Sequence, residues 1–161
     1  MPPGPFIVLP VPPERLLFNA RFGVAVVAEL RAGCRPVRVV LSRDGQRAYV
    51  AARASNEIFG FDTAKAQRND NTARLGSVTI PGPAIGIALS ADDSAVFASY
   101  DKTLITINTS SINRSSAAIE NMVAVSGAGR ELSILPDGRT LLLTNYADNL
   151  LEIIDLTRSK K

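Results

Sequence analysis

The chain has 161 residues, of which 46% are apolar and 20% charged, a composition typical of a globular domain and not of an intrinsically disordered chain. It contains no His and one Cys. These counts exclude Ser-His-Asp and Cys-His catalysis, His metal ligands, an internal disulfide and a Cys-based zinc site. The net charge is +3, but the basic residues are scattered singly, so we expect solvated rims and turns and no nucleic-acid binding.

The first residues of the chain are rich in proline. Six of the ten prolines lie within residues 1–13, and each removes a backbone donor, which predicts an irregular segment over residues 1–23. The segment lacks a basic start and an unbroken apolar core, so it does not have the pattern of a signal peptide. No stretch approaches the roughly 18 apolar residues that span a bilayer, so no membrane span is expected. Residues 158–161 form a basic tail.

A repeat runs through the rest of the chain. Three copies of an apolar strand are followed by an Asp-Gly or Asp-Asp turn and a second strand, with Asp44, Asp92 and Asp137 spaced by 48 and 45 residues. Strand, Asp-Gly, strand is a strong hairpin signal because glycine accepts positive φ. A third strand follows in each copy, and a period of about 45 residues with four strands is typical of propeller blades.

The fourth strand of the repeat is less regular. It closes the first two copies near residues 75–80 and 121–125, and the third copy lacks it. Residues 24–30 are predicted to be an earlier copy of this strand, belonging to a preceding or closing blade. The predicted blades therefore cover residues 33–80, 81–125 and 126–157, within a repeat region of residues 24–157.

The repeat resembles the YVTN-repeat family of β-propellers, related to the lactonase-type seven-bladed propellers. The blade signature of that family is found in the first copy at Gly33, Pro36, Ser42, Asp44, Gly45, Tyr49, Val50 and Phe61-Asp62-Thr63. The third copy matches it at Pro136-Asp137-Gly138, Leu142-Leu143-Thr144-Asn145 and Ile154-Asp155, whereas the second is degenerate. The resemblance implies an all-β fold, a partial β-propeller of about three four-stranded antiparallel blades.

The number of blades departs from the family, whose propellers close a ring of about seven. A three-blade arc leaves two outer faces and a channel wall exposed, an apolar area too large for an isolated monomer. Two explanations remain open. The chain is the C-terminal part of a larger propeller, or it completes a ring by self-association through the exposed blade faces.

The candidate site is a group of polar residues on the innermost strands and on the loops at the same end of the blades. Such a surface suits a small polar or anionic ligand or a protein partner. The alternative is that these side chains cap turns and form inter-blade ion pairs. The residues are Arg35, Arg38, Arg53, Arg130, Glu131, Asn145 and Tyr146, with Asn56 and Asn149 flanking the nearby turns.

The sequence favours a non-catalytic repeat module that binds a ligand or partner at this channel face. The alternative function is that of a fragment of a lactonase-type sugar-lactone hydrolase, in which Glu131 or an Asp would act as general base and Arg35 or Arg130 would stabilise the oxyanion. No cofactor is expected, and no metal site, since Asp92, Asp93 and Asp101 are too few for calcium. The family resemblance implies a periplasmic or extracellular location.

Overall fold

The computed structural model describes residues 25–157 and is built of three antiparallel sheets. The Pro-rich segment before Ala25 and the basic tail lie outside the described residues. Each sheet is a meander in which consecutive strands pair. Blade 1 contains β1 (Pro36–Leu41), β2 (Arg47–Ala52), β3 (Glu57–Asp62) and β4 (Arg74–Thr79). Blade 2 contains β5 (Gly86–Leu89), β6 (Ala95–Tyr100), β7 (Thr103–Asn108) and β8 (Ile119–Ala124). Blade 3 contains β9 (Gly129–Ile134), β10 (Thr140–Asn145) and β11 (Leu150–Asp155).

Among residues 25–157, helical structure is confined to the segments that lead into the fourth strands. Helix α1 (Thr63–Gln67) precedes β4, and its first turn is capped by Asp62, whose carboxylate accepts from Lys65 N at 2.9 Å. Two 3₁₀ turns, Thr109–Ser111 and Ser115–Ala118, precede β8. No described helix is long and apolar enough to cross a membrane. The predicted all-β class is confirmed.

In each blade, the aspartate of the turn between the first two strands accepts hydrogen bonds from a side-chain hydroxyl and from the backbone of the same turn. Ser42 Oγ donates to Asp44 Oδ1 at 2.6 Å, and the same oxygen accepts from the Gln46 backbone N–H at 2.9 Å. The residue after the aspartate has positive φ, which Gly45 adopts without strain at +70°. In blade 2 this residue is Asp93 at +60°, and its carboxylate accepts from Arg43 N of blade 1 at 3.0 Å. Asp93 thus compensates its strained backbone with an inter-blade hydrogen bond.

The blades pack face to face, and two apolar clusters fill the gaps between them. We call the face of a blade that is turned toward the preceding blade its leading face and the opposite one its trailing face. Residues such as Ile58 of blade 1 and Ile87 of blade 2 share the first cluster, and Leu104 of blade 2 and Leu132 of blade 3 share the second. The innermost strand β5 lies between β1 and β9 and contacts both. Most of the core is therefore inter-blade, and a smaller cluster of Ala52, Phe59 and Phe61 is buried on the leading face of blade 1, where Ala32 packs against it.

The two outer faces of the arc have no blade against them among the described residues. Val39 and Leu41 are exposed on the leading face of blade 1, and Leu151 and Ile153 on the trailing face of blade 3. Residues 25–35, which precede β1, form no helix or strand. The strand predicted over residues 24–30 is thus not formed in the described part of the chain, because a strand needs a pairing partner and no described strand lies beside it.

Candidate functional site

The first and second strands of each blade are antiparallel, so the start of one and the end of the other lie at the same end of the sheet. We call this the loop end. In blade 1 it carries Arg35 and Arg53, whose backbones are joined by a hydrogen bond from Arg53 N to Arg35 O of 3.0 Å. Arg35 has φ of +53°, so a left-handed residue turns the chain into β1. Both arginine residues are exposed.

Arg38 and Glu131 form an ion pair across the arc. Arg38 Nε lies 3.2 Å from Glu131 Oε2, and both side chains are partly exposed. The two residues occupy the same position in β1 and β9, so the pair joins the innermost strands of blades 1 and 3. Arg38 also donates to the Val37 carbonyl at 3.0 Å. This geometry is an inter-blade ion pair, which was the predicted alternative to ligand binding for these two residues.

Gly86 occupies the same position in blade 2, between these two charged residues. A Cβ there would collide with Leu132 Cδ1 and would lie 2.7 Å from Ser99 Oγ. The missing side chain lets β9 pack closely on β5. Ser99 completes the seam, since its buried hydroxyl accepts from Gly86 N at 3.0 Å and donates to Gly129 O at 2.6 Å.

From the sequence alone, Ser99 looks like an ordinary strand residue. The available signal was a small polar residue in a strand of buried apolar neighbours, which indicates a hydrogen-bonded inter-strand link.

Blade 3 places Arg130 and Tyr146 together at the loop end. The Arg130 guanidinium carbon lies 5.3 Å from the centre of the Tyr146 ring, which is a cation–π distance. Tyr146 is exposed. Asn145, by contrast, is only 2% exposed, and its amide donates to Asp148 Oδ2 at 2.7 Å and accepts from Asp148 N at 3.2 Å. Asn145 therefore acts as a turn residue, and we leave it out of the ligand-binding surface.

Asn56 and Asn149 occupy equivalent positions just before the third strands of blades 1 and 3. Their φ values are +54° and +55°, and asparagine is one of the few non-glycine residues that adopts this conformation readily. Their residue type is thus explained by the backbone of the turn.

The carboxylates with shifted pKa values do not lie at the loop end. Hydrogen bonds from Ser90 and Ser94 lower the pKa of Asp92 to about 2. The pKa of Asp44 is lowered by the Ser42 hydroxyl and that of Asp137 by the Arg139 backbone N–H. All three belong to the turns at the other end of the blades. Among residues 25–157, no three acidic or Cys side chains are grouped so as to hold a metal ion.

The loop end presents exposed guanidinium groups to solvent. Within the described part of the chain, Arg35, Arg53 and Arg130 form no ion pair, whereas Arg38 is paired with Glu131. The structure brings together two pairs of the predicted site residues, Arg38 with Glu131 and Arg130 with Tyr146. Arg35 and Arg53 are held side by side through their backbones.

Comparison with known proteins shows the fold. No protein-family model matches the chain, and no curated protein matches it in sequence. Among solved structures it resembles hydrazine synthase of Kuenenia stuttgartiensis, with a TM-score of 0.64 at 13% identity over 86% of this chain and 36% of that chain. It also resembles the periplasmic gluconolactonase PpgL of Pseudomonas aeruginosa, with a TM-score of 0.61 at 21% identity over 74% of this chain and 35% of that chain.

A third similar structure is the β-propeller domain of Cps50 (Swd1) from Myceliophteria thermophila. Its TM-score is 0.62 at 10% identity, over 80% of this chain and 38% of that chain. The chain thus spans about a third of the length of the solved structures it matches. Three packed antiparallel sheets and these likenesses agree with the prediction made from the repeat. The described residues thus have a β-propeller fold with three blades, similar to those of lactonase-like and other β-propellers.

Proposed function

We propose that the chain is a non-catalytic YVTN-type propeller module that binds a small anionic ligand, or an anionic group of a partner protein, at the loop end. The observation that carries the proposal is the set of exposed arginines Arg35, Arg53 and Arg130, which have no acidic partner among the described residues. Guanidinium groups donate paired hydrogen bonds to carboxylate and phosphate groups.

The aromatic side chain beside one of these arginines supports the proposal. Tyr146 lies against the Arg130 guanidinium and is exposed, so it offers a flat apolar surface with a hydroxyl at its edge. Amphipathic aromatic residues next to charged donors are common in binding surfaces. A polyhydroxyl anion or a peptide carboxylate fits this combination.

The state of Glu131 argues against catalysis by the described residues. It is the one carboxylate among the residues singled out for the site, and the Arg38 guanidinium already holds it at 3.2 Å. A general base has to reach the proton it abstracts, and an ion-paired carboxylate must first leave its partner. The backbone N–H of Glu131 is also bonded, to Thr144 Oγ1 at 3.1 Å.

Calorimetric titration with gluconate tests the proposal, with neutral sorbitol as the matched ligand. We expect gluconate binding that weakens at high salt, and no binding of sorbitol. Arg35→Ala and Arg130→Ala should each weaken binding about tenfold or more, because a hydrogen bond to a charged group contributes roughly 1.5–3 kcal/mol.

Arg43→Ala is the control for these variants. Arg43 is exposed at the opposite end of blade 1, so its replacement should leave the gluconate affinity unchanged. An equal loss in Arg43→Ala would show that only overall charge matters. Failure of gluconate, citrate and phosphate all to bind would contradict the proposal.

A lactonase-type hydrolase is the second candidate, and the likeness to the Pseudomonas gluconolactonase favours it. In that case Glu131 would activate water and Arg130 or Arg35 would stabilise the oxyanion. Hydrolysis of glucono-1,5-lactone, followed by the acid it releases, tests this function. Activity that is lost in Glu131→Gln would support it, and activity that survives that change would rule out the assigned base.

We also propose a periplasmic or extracellular location. The periplasmic gluconolactonase among the similar structures supports it, together with the YVTN-type signature. Cell fractionation of the native source with an antibody against the chain is the direct test. Recovery in the cytoplasmic fraction alone would contradict this location.

A further inference from the structure

The outer edge of blade 3 is unfinished in the described structure. Blades 1 and 2 each have four strands, but within residues 25–157 strand β11 pairs only with β10. Leu151 and Ile153 of β11 are exposed on the trailing face. A strand edge with unpaired backbone groups and apolar side chains is a template for another strand.

Residues 25–30 correspond in the repeat to the fourth strand, which blade 3 lacks among the described residues. Residues 25–30 lie 48 residues before the β4 region, the same spacing that relates Ser42 to Ser90, so Leu30 corresponds to Val78 of β4. Val26 and Val27 in this segment are exposed, although both are strong strand formers. Within the described residues the segment has no strand to pair with.

Leu30, at the end of this segment, lies on the leading face of blade 1, where the fourth strand of a preceding blade would end. Val78 is buried between blades 1 and 2, and Leu30 borders a recess on the leading face of blade 1 with Val50 and Phe61. Gly33 is packed so closely that a Cβ there would be 2.6 Å from Phe59 Cε2. The chain therefore enters blade 1 by the path expected if residues 25–30 were the fourth strand of a blade packed on its leading face.

We propose that a second copy of this chain supplies that blade. Residues 25–30 of each copy pair with β11 of the other as its fourth strand, and the trailing face of each blade 3 packs on the leading face of the other blade 1. The contact is of the same kind as the two interfaces within the chain, where a trailing face covers a leading face. The proposal does not depend on what the loop end binds.

The number of blades in the described residues suits two copies. Two copies with three blades each close a six-bladed ring with twofold symmetry, and known propellers have typically 4–8 blades. Three copies would make nine blades, outside that range. The dimer would have no free strand edge at β11 and no exposed outer blade face.

The repeat also determines the register of the exchanged strand. Ile58 pairs with Val78 in blade 1, and the equivalent pair across the new junction is Leu151 with Leu30. The next pair, equivalent to Phe59 and Ser77, sets Glu152 opposite Glu29. Like charges opposite one another weaken strand pairing, so Glu29→Lys should tighten the dimer by about two- to tenfold.

The first test is the mass of the purified chain by native mass spectrometry and light scattering over a range of concentrations. We expect twice the 17.1 kDa of one chain. Ile153→Arg should shift the chain to monomer. Met122→Arg, which changes an exposed apolar residue on the outermost strand of the middle blade, is the control and should leave the dimer intact.

A cysteine cross-link tests the register and remains informative where Ile153→Arg fails to fold. In a Cys34→Ser background, chains with Leu30→Cys are mixed with chains with Leu151→Cys and oxidised. We expect a covalent dimer that contains one chain of each kind. Cysteines at Val27 and Leu151, which this register keeps apart, should cross-link much less.

Three outcomes would overturn the proposal. A stable monomer at all concentrations would show that the outer faces need no second copy. A trimer or an open filament would contradict the six-bladed ring. A dimer that forms without the Leu30–Leu151 cross-link would contradict the exchanged strand.

Discussion

Val39, Ile87 and Leu132 hold the same position in the first strands of blades 1, 2 and 3, yet their side chains are 62%, 3% and 5% exposed. On the trailing faces it is the residue of blade 3, and not that of blade 1, that is exposed. Ile58, Leu104 and Leu151 are equivalent in the third strands, and their exposures are 0%, 3% and 58%. Every one of these residues is a large aliphatic side chain.

The difference between the covered and the outer faces shows that the repeat builds each blade for two neighbours. The residues at the outer faces were not replaced by polar ones, as is usual in the terminal repeats of isolated arrays. Burying such side chains contributes about 25 cal/mol per Å² of apolar area, so covering the exposed part of either face would stabilise the chain.

The largest expected effect comes from changing equivalent residues on a covered and an outer face. Ile87→Ala should lower the free energy of unfolding by about 2–5 kcal/mol, because it leaves a cavity between blades 1 and 2. Val39→Ala should change it by less than about 0.5 kcal/mol in the chain diluted to its monomer. Urea denaturation measures both, and equal losses would show that the outer face is covered within one chain.

The position shared by Arg38, Gly86 and Glu131 gives the next effect. Gly86→Ala should cost about 1–3 kcal/mol, since its Cβ would press on Leu132 and Ser99. The double variant with Leu132→Ala should lose less than the sum of the two single losses. Glu131→Leu, at the equivalent position of the outer blade, should change the free energy of unfolding by no more than about 1 kcal/mol. Additive losses at Gly86 and Leu132 would contradict the close seam.

The ion pair across the arc should contribute less. A double-mutant cycle of Arg38→Ala and Glu131→Ala should give a coupling energy of about 0.2–1 kcal/mol, falling as salt is added. The same cycle with Arg43→Ala in place of Arg38→Ala should give no coupling. A salt-independent coupling well above 1 kcal/mol would indicate that the assembled ring buries the pair.

The smallest effect concerns the turns, which belong to neither kind of face. The folded pKa of Asp92 is about 2, below its ordinary value of 3.8, so its contribution to stability is present above pH 4 and is lost as the pH falls toward 2. Asp92→Asn should lower stability by about 1 kcal/mol or less at pH 7 and should reduce the acid-induced loss between pH 4 and pH 2. Melting temperatures across this range are the measurement.

The control for that change is Arg114→Gln, which removes an exposed charge outside the repeated turns. This variant should lose as much stability between pH 4 and pH 2 as the unchanged chain. An unchanged loss in Asp92→Asn would show that the Ser90 and Ser94 hydrogen bonds do not depend on the charge of the carboxylate.

Local chemistry made much of the fold predictable. The aspartate of the turn repeats because its carboxylate accepts hydrogen bonds from a hydroxyl and from the backbone of its own turn, as at Ser42 and Asp44. The same turn could be predicted in the second copy, where Asp93 replaces the glycine. The hydrogen bond from Arg43 N of the neighbouring blade to the Asp93 carboxylate could not, because it depends on packing. Residues 25–30, expected to belong to a strand of a preceding or closing blade, form no strand in the described structure, and that expectation stays a prediction, since pairing depends on a partner that local sequence does not supply.

The candidate site was less predictable. Arginines at strand starts could be found from the repeat, but the pairing of Arg38 with Glu131, 93 residues away, could not. Asn145 looked like a surface amide and is buried in its own turn. The close contact of β5 with β9 at Gly86 and Ser99 could not be predicted either, because it depends on how closely blades 2 and 3 approach each other.

The sequence by itself determined the blade, because strand alternation, turn chemistry and the spacing of the repeat are all local and are satisfied within about 45 residues. Only the tertiary structure decided which of three equivalent side chains is core and which is surface. That distinction depends on whether another sheet lies against the face, and the hydrophobic effect acts on whatever surface a neighbour removes from water.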